Sequence, residues 1–345
     1  MSSPNHGDRR GTNAPDMVVI HYTGMADAAS ARDRLCDPAA EVSAHWLIDE
    51  CGRTEALVPE HRRAWHAGAG SWQGRDDVNS HSIGIELANP GDRPFPEPQM
   101  AALETLLAGI LARWSIPPAR VIAHSDMAPD RKSDPGPRFD WARLGRLGLA
   151  LAPAADRVLS GGMGISTRPK EAEAAPDLPT LLDQIGYPAG DAARRLAAFR
   201  MRFAPWMRGE EGSTDSDLAG RVLAALYAAP APEPLMIYKV LRADEWAALE
   251  RDTETLGAPV DLADGYVHFS TAEQLRGTLD KHFAGAEGLR LLTCPAAPLS
   301  PDLRWEASRG GALFPHLYRA LRISDVARHA PIPLQDGQHQ LEGLL

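Results

Sequence analysis

At 345 residues the chain is longer than one domain usually runs, so two or three domains are expected. A net charge of −10 with no cluster of Lys and Arg argues against nucleic acid or an anionic membrane surface as a partner. Hydrophobic content of 44% is globular, and no run approaches the ~18 to 20 apolar residues of a membrane span.

The polar start "MSSPNHGDRRGTNAPD" has no apolar core and does not read as a secretory signal, which favours the cytoplasm. Three scattered cysteines, Cys36, Cys51 and Cys294, imply no disulfide framework, and buried free thiols are expected. "MVVIHYTG" then reads as a strand ending in a turn, "SAHWLIDECG" as a strand entering a hairpin, and "HSIGIELAN" as another strand. "EPQMAALETLLAGILARWSI" carries apolar residues at helical spacing, and "ARVIAH" is a final strand. Residues 1–150 therefore form an α/β or α+β domain.

Residues 151–176 turn small, polar and rich in Pro and Gly, a linker signal. Residues 177–229 read as three amphipathic helices, too few to bury more than a modest core, so they are expected to lean on a neighbour. A Pro-rich joint, "APAPEPL", precedes a third domain at 236–330, followed by a polar tail, 331–345, expected to be disordered.

The chemistry concentrates in the first domain. His21 and His124 close two strands, and Asp134 follows in "DRKSDPGPRFD", a loop stiffened by proline. Two histidines and a carboxylate on rigid backbone suit a catalytic zinc site, which keeps a fourth position for water. Three unrelated polar residues at strand ends is the competing reading. A hydrolytic site also needs a base and a charge for the oxyanion. Glu86, among Ile83, Ile85 and Leu87, is either a buried structural carboxylate or that base, and Lys132 stands two residues before Asp134.

The stretches "VVIHYTG", "SAHWLIDECGR", "RAWHAG", "NSHSIGIELAN" and "IAHSDMAPDRKSDPGPRFDW" together resemble the zinc-dependent N-acetylmuramoyl-L-alanine amidases of the type 2 family, over about the first 145 residues. The resemblance implies a mixed central sheet flanked by helices, with zinc in a groove held by His21, His124 and Asp134. It implies that Glu86 activates or orients water and that Lys132 stabilises the tetrahedral oxyanion, with Pro135 and Gly136 turning the loop. His45, Trp65, His66 and Asn79 match groove-lining segments and are implied substrate contacts. The implied reaction is hydrolysis of the amide between the lactyl group of N-acetylmuramic acid and L-alanine, in peptidoglycan or (1,6-anhydro)muropeptides. Asp126, Asp130 and Asp140 are left as supporting, capping or solvated residues. The competing class is a non-catalytic muropeptide sensor that reuses the groove. A sensor can lose the third ligand, Glu86 and Lys132, and all of them are here. Cytoplasmic recycling is the expected setting, with action on the wall in the periplasm as the alternative. Protein partners are not legible.

"LLDQIGY", "AFRMRFAPW" and "GSTDSDLAGRVLAALY" resemble a small helical peptidoglycan-binding domain, although its usual "AFQ" reads Ala198-Phe199-Arg200 here. Arg200, Arg202, Phe203 and Trp206 are the implied glycan contacts, and a helical spacer is the alternative. "IYKVLRADEW", "LADGYVHFSTAEQL" and "RWEASRGGALFPHLY" resemble a bacterial family of unknown function, number 952. That implies a compact α+β fold similar to ADP-ribosyltransferases. His268 and Ser270 alternate onto one strand face, and Glu306 with His316 could share a cleft with them. The choice lies between an NAD-using site and an interaction module, and "RGG" is too short to signal a phosphate loop.

Overall fold

The computed structural model describes residues 2–12, 14–151, 176–209, 211–228, 234–299, 302–307 and 312–345. Nearly all of the expected linker at 151–176 and part of the proline-rich joint lie outside the described residues. The chain divides into two units, Met1–Leu111 with Ile116–Pro232, and Ala112–Ser115 with Glu233–Leu345.

The first unit is built on a five-stranded mixed sheet. Its strands are Met17–Tyr22 (β1), Trp46–Ile48 (β2), Thr54–Ala56 (β3), Ser82–Leu87 (β4) and Val121–Ala123 (β5), in the spatial order β3-β2-β4-β1-β5. β2, β4, β1 and β5 run parallel, and β3 returns antiparallel as the second arm of a hairpin. Val18, Val19, Ile20, Ile83, Ile85, Val121 and Ile122 have no exposed surface. Unbroken apolar runs of this kind are what a parallel sheet covered on both faces requires. Helix α1 spans Ala28–Cys36 and α2 spans Glu97–Trp114, where Met100, Leu103, Leu107 and Ile110 form a buried stripe at helical spacing.

His124 does not close β5; it opens a short helix, His124–Met127 (α3). The cause is local: the Asp126 carboxylate accepts the Ala123 amide at 2.8 Å and draws the chain into a turn. Helix α4, Trp141–Arg146, is capped by Asp140, which accepts the Arg143 amide.

Leu178–Ile185 (α5), Ala192–Phe203 (α6) and Ser213–Ala228 (α7) form the expected helical segment. Asp177 and Asp191 cap α5 and α6 by accepting the Thr180 and Arg194 amides. The segment has no separate core. Leu178, Leu182, Tyr187, Phe199 and Phe203 belong to one buried cluster with Met17, Val19, Ile122 and Met127 of the sheet side. Three short helices bury too little apolar surface alone, and the sheet supplies the rest.

In the second unit, Met236–Leu241 (β6), Arg290–Pro295 (β8) and Arg328–Pro331 (β11) make one antiparallel sheet, order β11-β8-β6. Val267–His268 (β7), Leu303–Ala307 (β9) and Leu313–Leu317 (β10) make another, order β7-β10-β9. Helices span Ala243–Asp252 (α8), Pro259–Asp264 (α9) and Ala272–His282 (α10). The expected disordered tail is instead structured. Leu334–Gln335 pairs with Gln338–His339 in a hairpin, and Ile332 and Leu341 are buried with Leu275, Leu279 and Leu291. Ile332 and Leu341, nine positions apart, anchor it, with Leu344 packed against the same cluster. All three cysteines are free, and Cys51 is exposed rather than buried.

Candidate metal centre and groove

Three neighbouring parallel strands each deliver one polar residue at or just past their carboxyl ends, where ligand sites form in sheets of this kind. β1 brings His21, β4 brings Glu86 directly beside it in register, and β5 leads into His124. The loop that follows returns Asp134, whose carbonyl accepts the Ser125 amide at 3.0 Å. Gly136 then turns the chain at φ +79°, a left-handed conformation that suits glycine.

His21 Nδ1 lies 2.9 Å from His124 Nδ1, and both lie 3.0 Å from Asp134 Oδ2. All three residues are buried. Hydrogen-bond direction settles the tautomers. The carbonyl of Val78 can only accept, so the Ser82 hydroxyl donates to it at 2.6 Å. Ser82 Oγ therefore accepts from His66 Nε2 at 3.1 Å, and the bare Nδ1 of His66 accepts from His21 Nε2 at 3.0 Å. His124 Nε2 donates to the Ala67 carbonyl at 2.9 Å. Both Nδ1 atoms are thus lone-pair donors, aimed at a carboxylate oxygen with no proton between them. Burial and the neighbouring His124 push the His21 imidazolium down to about 4, so His21 is neutral at physiological pH. Three lone pairs within 3.0 Å repel one another unless a cation sits among them, and this N,N,O set fits a metal ion.

The triad forms part of the wall of a groove of about 410 Å³, together with Glu86, Lys132, Trp65 and His66. Burial and the nearby Asp134 charge push the Glu86 carboxyl up to about 8, with Lys132 opposing. Its Oε2 is buried and has no hydrogen-bond partner among the described residues. An orphaned carboxylate oxygen beside a cation site is placed to hold a water.

Trp65 and His66 reach the groove, whereas His45 and Asn79 do not. His45 is wholly buried, accepting the Gly84 amide at Nδ1 and donating from Nε2 to the Arg62 carbonyl. Asn79 turns its Oδ1 to the His66 and Ala67 amides at 3.0 and 2.8 Å, so it shapes the segment that carries His66. A side chain at Gly84 would collide with the His66 ring at 2.4 Å, and glycine there makes room for the relay. Tyr22 and Arg131 also line the groove, and sequence reasoning missed them. Their one signal was adjacency to His21 and Lys132.

Of the implied glycan contacts, Arg202 and Phe203 are buried. Arg202 donates to Asp126 and to the Val121 carbonyl and lies 4.8 Å over the Trp141 ring. Tyr187 donates to the other Asp126 oxygen at 2.8 Å. The helical segment thus grips the helix that opens with His124. Arg200 is engaged by Asp215, and Trp206 is 68% exposed.

Residues 11–137 match the family model described as N-acetylmuramoyl-L-alanine amidase, and residues 240–329 match that of a protein family of unknown function, DUF952. The chain is 35% identical over 236 residues to N-acetylmuramoyl-L-alanine amidase AmiD of Escherichia coli (strain K12), covering 61% of this chain and 83% of that one. The chain belongs to the N-acetylmuramoyl-L-alanine amidase family. It is also 34% identical to the 1,6-anhydro-N-acetylmuramyl-L-alanine amidase AmpD of Enterobacter cloacae, over 41% of this amidase and 85% of AmpD. Among solved structures, it is similar to AmiD from E. coli in complex with anhydro-N-acetylmuramic acid-L-Ala-D-γ-Glu-L-Lys. There the TM-score is 0.53 and the identity 33%, covering 64% of this chain and 94% of that one.

Proposed function

We propose that this chain is a zinc-dependent N-acetylmuramoyl-L-alanine amidase acting on muropeptides, 1,6-anhydro forms included, in cell-wall turnover and recycling. The observation that carries the reading is the lone-pair triangle of His21, His124 and Asp134 with the orphaned Glu86 oxygen beside it. Zinc, when bound, supplies Lewis acidity to the scissile carbonyl and its attacking water. His21 and His124 present Nδ1 and keep their other nitrogens engaged in the protein. Glu86 takes the proton from the attacking water at Oε2 and passes it to the leaving amine of L-alanine. Lys132, in the wall of the same groove, holds the charge that develops on the carbonyl oxygen.

Among the described residues, no helix is long and apolar enough to cross a membrane. The likeness to AmpD, whose name specifies the anhydro substrate, favours soluble anhydromuropeptides over the intact wall as substrate. Purified protein is stripped with a chelator and offered anhydromuropeptides and intact sacculi, before and after zinc is restored. Zinc-dependent release of peptide, faster from the soluble substrate, is the expected result. Undiminished release without metal overturns the mechanism, and binding without release in the zinc form favours a sensor.

A further inference from the structure

The second unit carries a cluster of functional groups that the amidase reaction does not use. In the β7-β10-β9 sheet, His268 pairs across to His316, and His316 pairs across to Arg304. Directly opposed residues share a sheet face, so an imidazole, a second imidazole and a guanidinium form one row. Residues two positions away fall on the same face and add Tyr266, Tyr318 and Glu306. The opposite face is apolar and buried, with Val267, Leu303, Trp305 and Leu317. The polar face is partly covered: His316 is buried, His268, Tyr266, Tyr318 and Glu306 are half-buried, and Arg304 is exposed.

Each imidazole is backed by a carboxylate. Asp261, itself buried, accepts from His268 Nδ1 at 2.7 Å and from the His268 amide at 2.9 Å, and its second oxygen is held by Lys239. Glu306 accepts from His316 Nδ1 at 2.8 Å and from the Tyr318 hydroxyl at 2.9 Å. Both rings are therefore oriented with Nε2 as the remaining nitrogen; burial holds the His316 imidazolium below its ordinary range, with Glu306 opposing. The ring centroids are 5.1 Å apart. Arg304 is exposed and stacked 3.9 Å over the Tyr318 ring, which holds the guanidinium at the solvent edge of the row. Tyr266 stacks on His316 at 4.4 Å. Ser270 does not join them, since it is buried and bonded to Thr278.

We propose that this face is a second ligand site, separate in chemistry from the amidase groove, that binds a phosphate ester. One guanidinium and two carboxylate-backed imidazoles in a row match the tetrahedral, multiply accepting oxygens of a phosphate. Asp264 is the built-in competitor, with its carboxylate 3.4 Å from His268 Nε2. An arriving phosphate displaces it.

The test titrates the full-length, zinc-loaded protein with adenosine 5′-monophosphate, with inorganic phosphate, and with adenosine, by calorimetry and by the histidine ring signals in NMR. Both phosphate compounds are expected to bind and to move the His268 and His316 signals, while adenosine does not. Arg304→Gln and His316→Gln should each weaken binding at least about tenfold, the loss of one charge-assisted hydrogen bond. Asp264→Asn should tighten it, and amidase turnover should be unchanged in all three variants. Three results overturn the proposal: no binding at millimolar phosphate or nucleotide, binding indifferent to Arg304→Gln and His316→Gln, or adenosine binding as well as its phosphate.

Discussion

Arg202 donates to Asp126, two residues beyond the metal ligand His124, and neither side chain reaches solvent: 2% and 0% are exposed. This ion pair joins helix α6 to the short helix that opens with His124. Breaking such a pair strands a buried charge and costs about 3–5 kcal/mol. Arg202→Met is therefore expected to lower Tm and, because Asp126 shapes the turn that presents His124, to weaken zinc binding. Tyr187→Phe removes one hydrogen bond to the same carboxylate and should cost about 1 kcal/mol. Thermal unfolding and zinc competition with a chromogenic chelator measure both effects. Unchanged zinc affinity in a folded Arg202→Met protein would count against the coupling.

His66 positions His21 through a hydrogen bond rather than touching the metal. Orienting partners of this type are worth roughly ten- to a hundredfold in metal affinity. His66→Phe keeps the ring volume and removes both nitrogens, so its zinc Kd should rise by about that factor. If His66 mattered only as a substrate contact, KM would change and zinc affinity would not.

Glu86 is expected to separate metal binding from chemistry. Glu86→Gln should keep stoichiometric zinc, read by elemental analysis, while kcat falls about 10²–10⁴-fold, the usual worth of a general base. Asp134→Ala removes one of three ligands and should lose zinc and activity together. A zinc-loaded Glu86→Gln enzyme with undiminished kcat would end the assignment of the base.

Asp215 sets an acid limit on the helical segment. Its carboxyl is held below the ordinary carboxylate range, chiefly by hydrogen bonds from Arg200, with burial opposing. A folded-state pKa below the unfolded one contributes stability above about pH 4 that is lost as pH falls through the folded value. Asp215→Asn should therefore destabilise the protein by about 2 kcal/mol at pH 7, with the difference closing as the pH falls below about 4. Parallel thermal melts across that range measure it.

Much of the fold was readable in order. The apolar runs at Val18–Ile20 and Val121–Ala123 marked buried parallel strands, which are covered on both faces and need no alternation. Helix α2 was legible from its apolar spacing, and α5 and α6 also carry an aspartate cap. His21, His124 and Asp134 were legible because one lies near a strand end, one directly follows a strand and one sits in a loop that proline stiffens. The misreadings share one cause. His45 and Asn79 stand in segments that reach the groove, but a side chain's direction depends on its backbone partners, here Gly84, Arg62, His66 and Ala67. Arg202 and Phe203 read as an amphipathic face open to glycan, and the apolar underside of the sheet covers that face.

By itself the sequence determined most strand and helix types, the candidate ligand set and the family, since periodicity, caps and motif residues are local properties of the chain. Only the tertiary structure decided which nitrogen each histidine offers, because that depends on Val78, Ser82 and Ala67, far from the ligands in sequence. It also decided that the helical segment braces the metal site and that His268, His316 and Arg304 form one row. Those relations come from strand register and shared burial, which no single stretch of sequence contains.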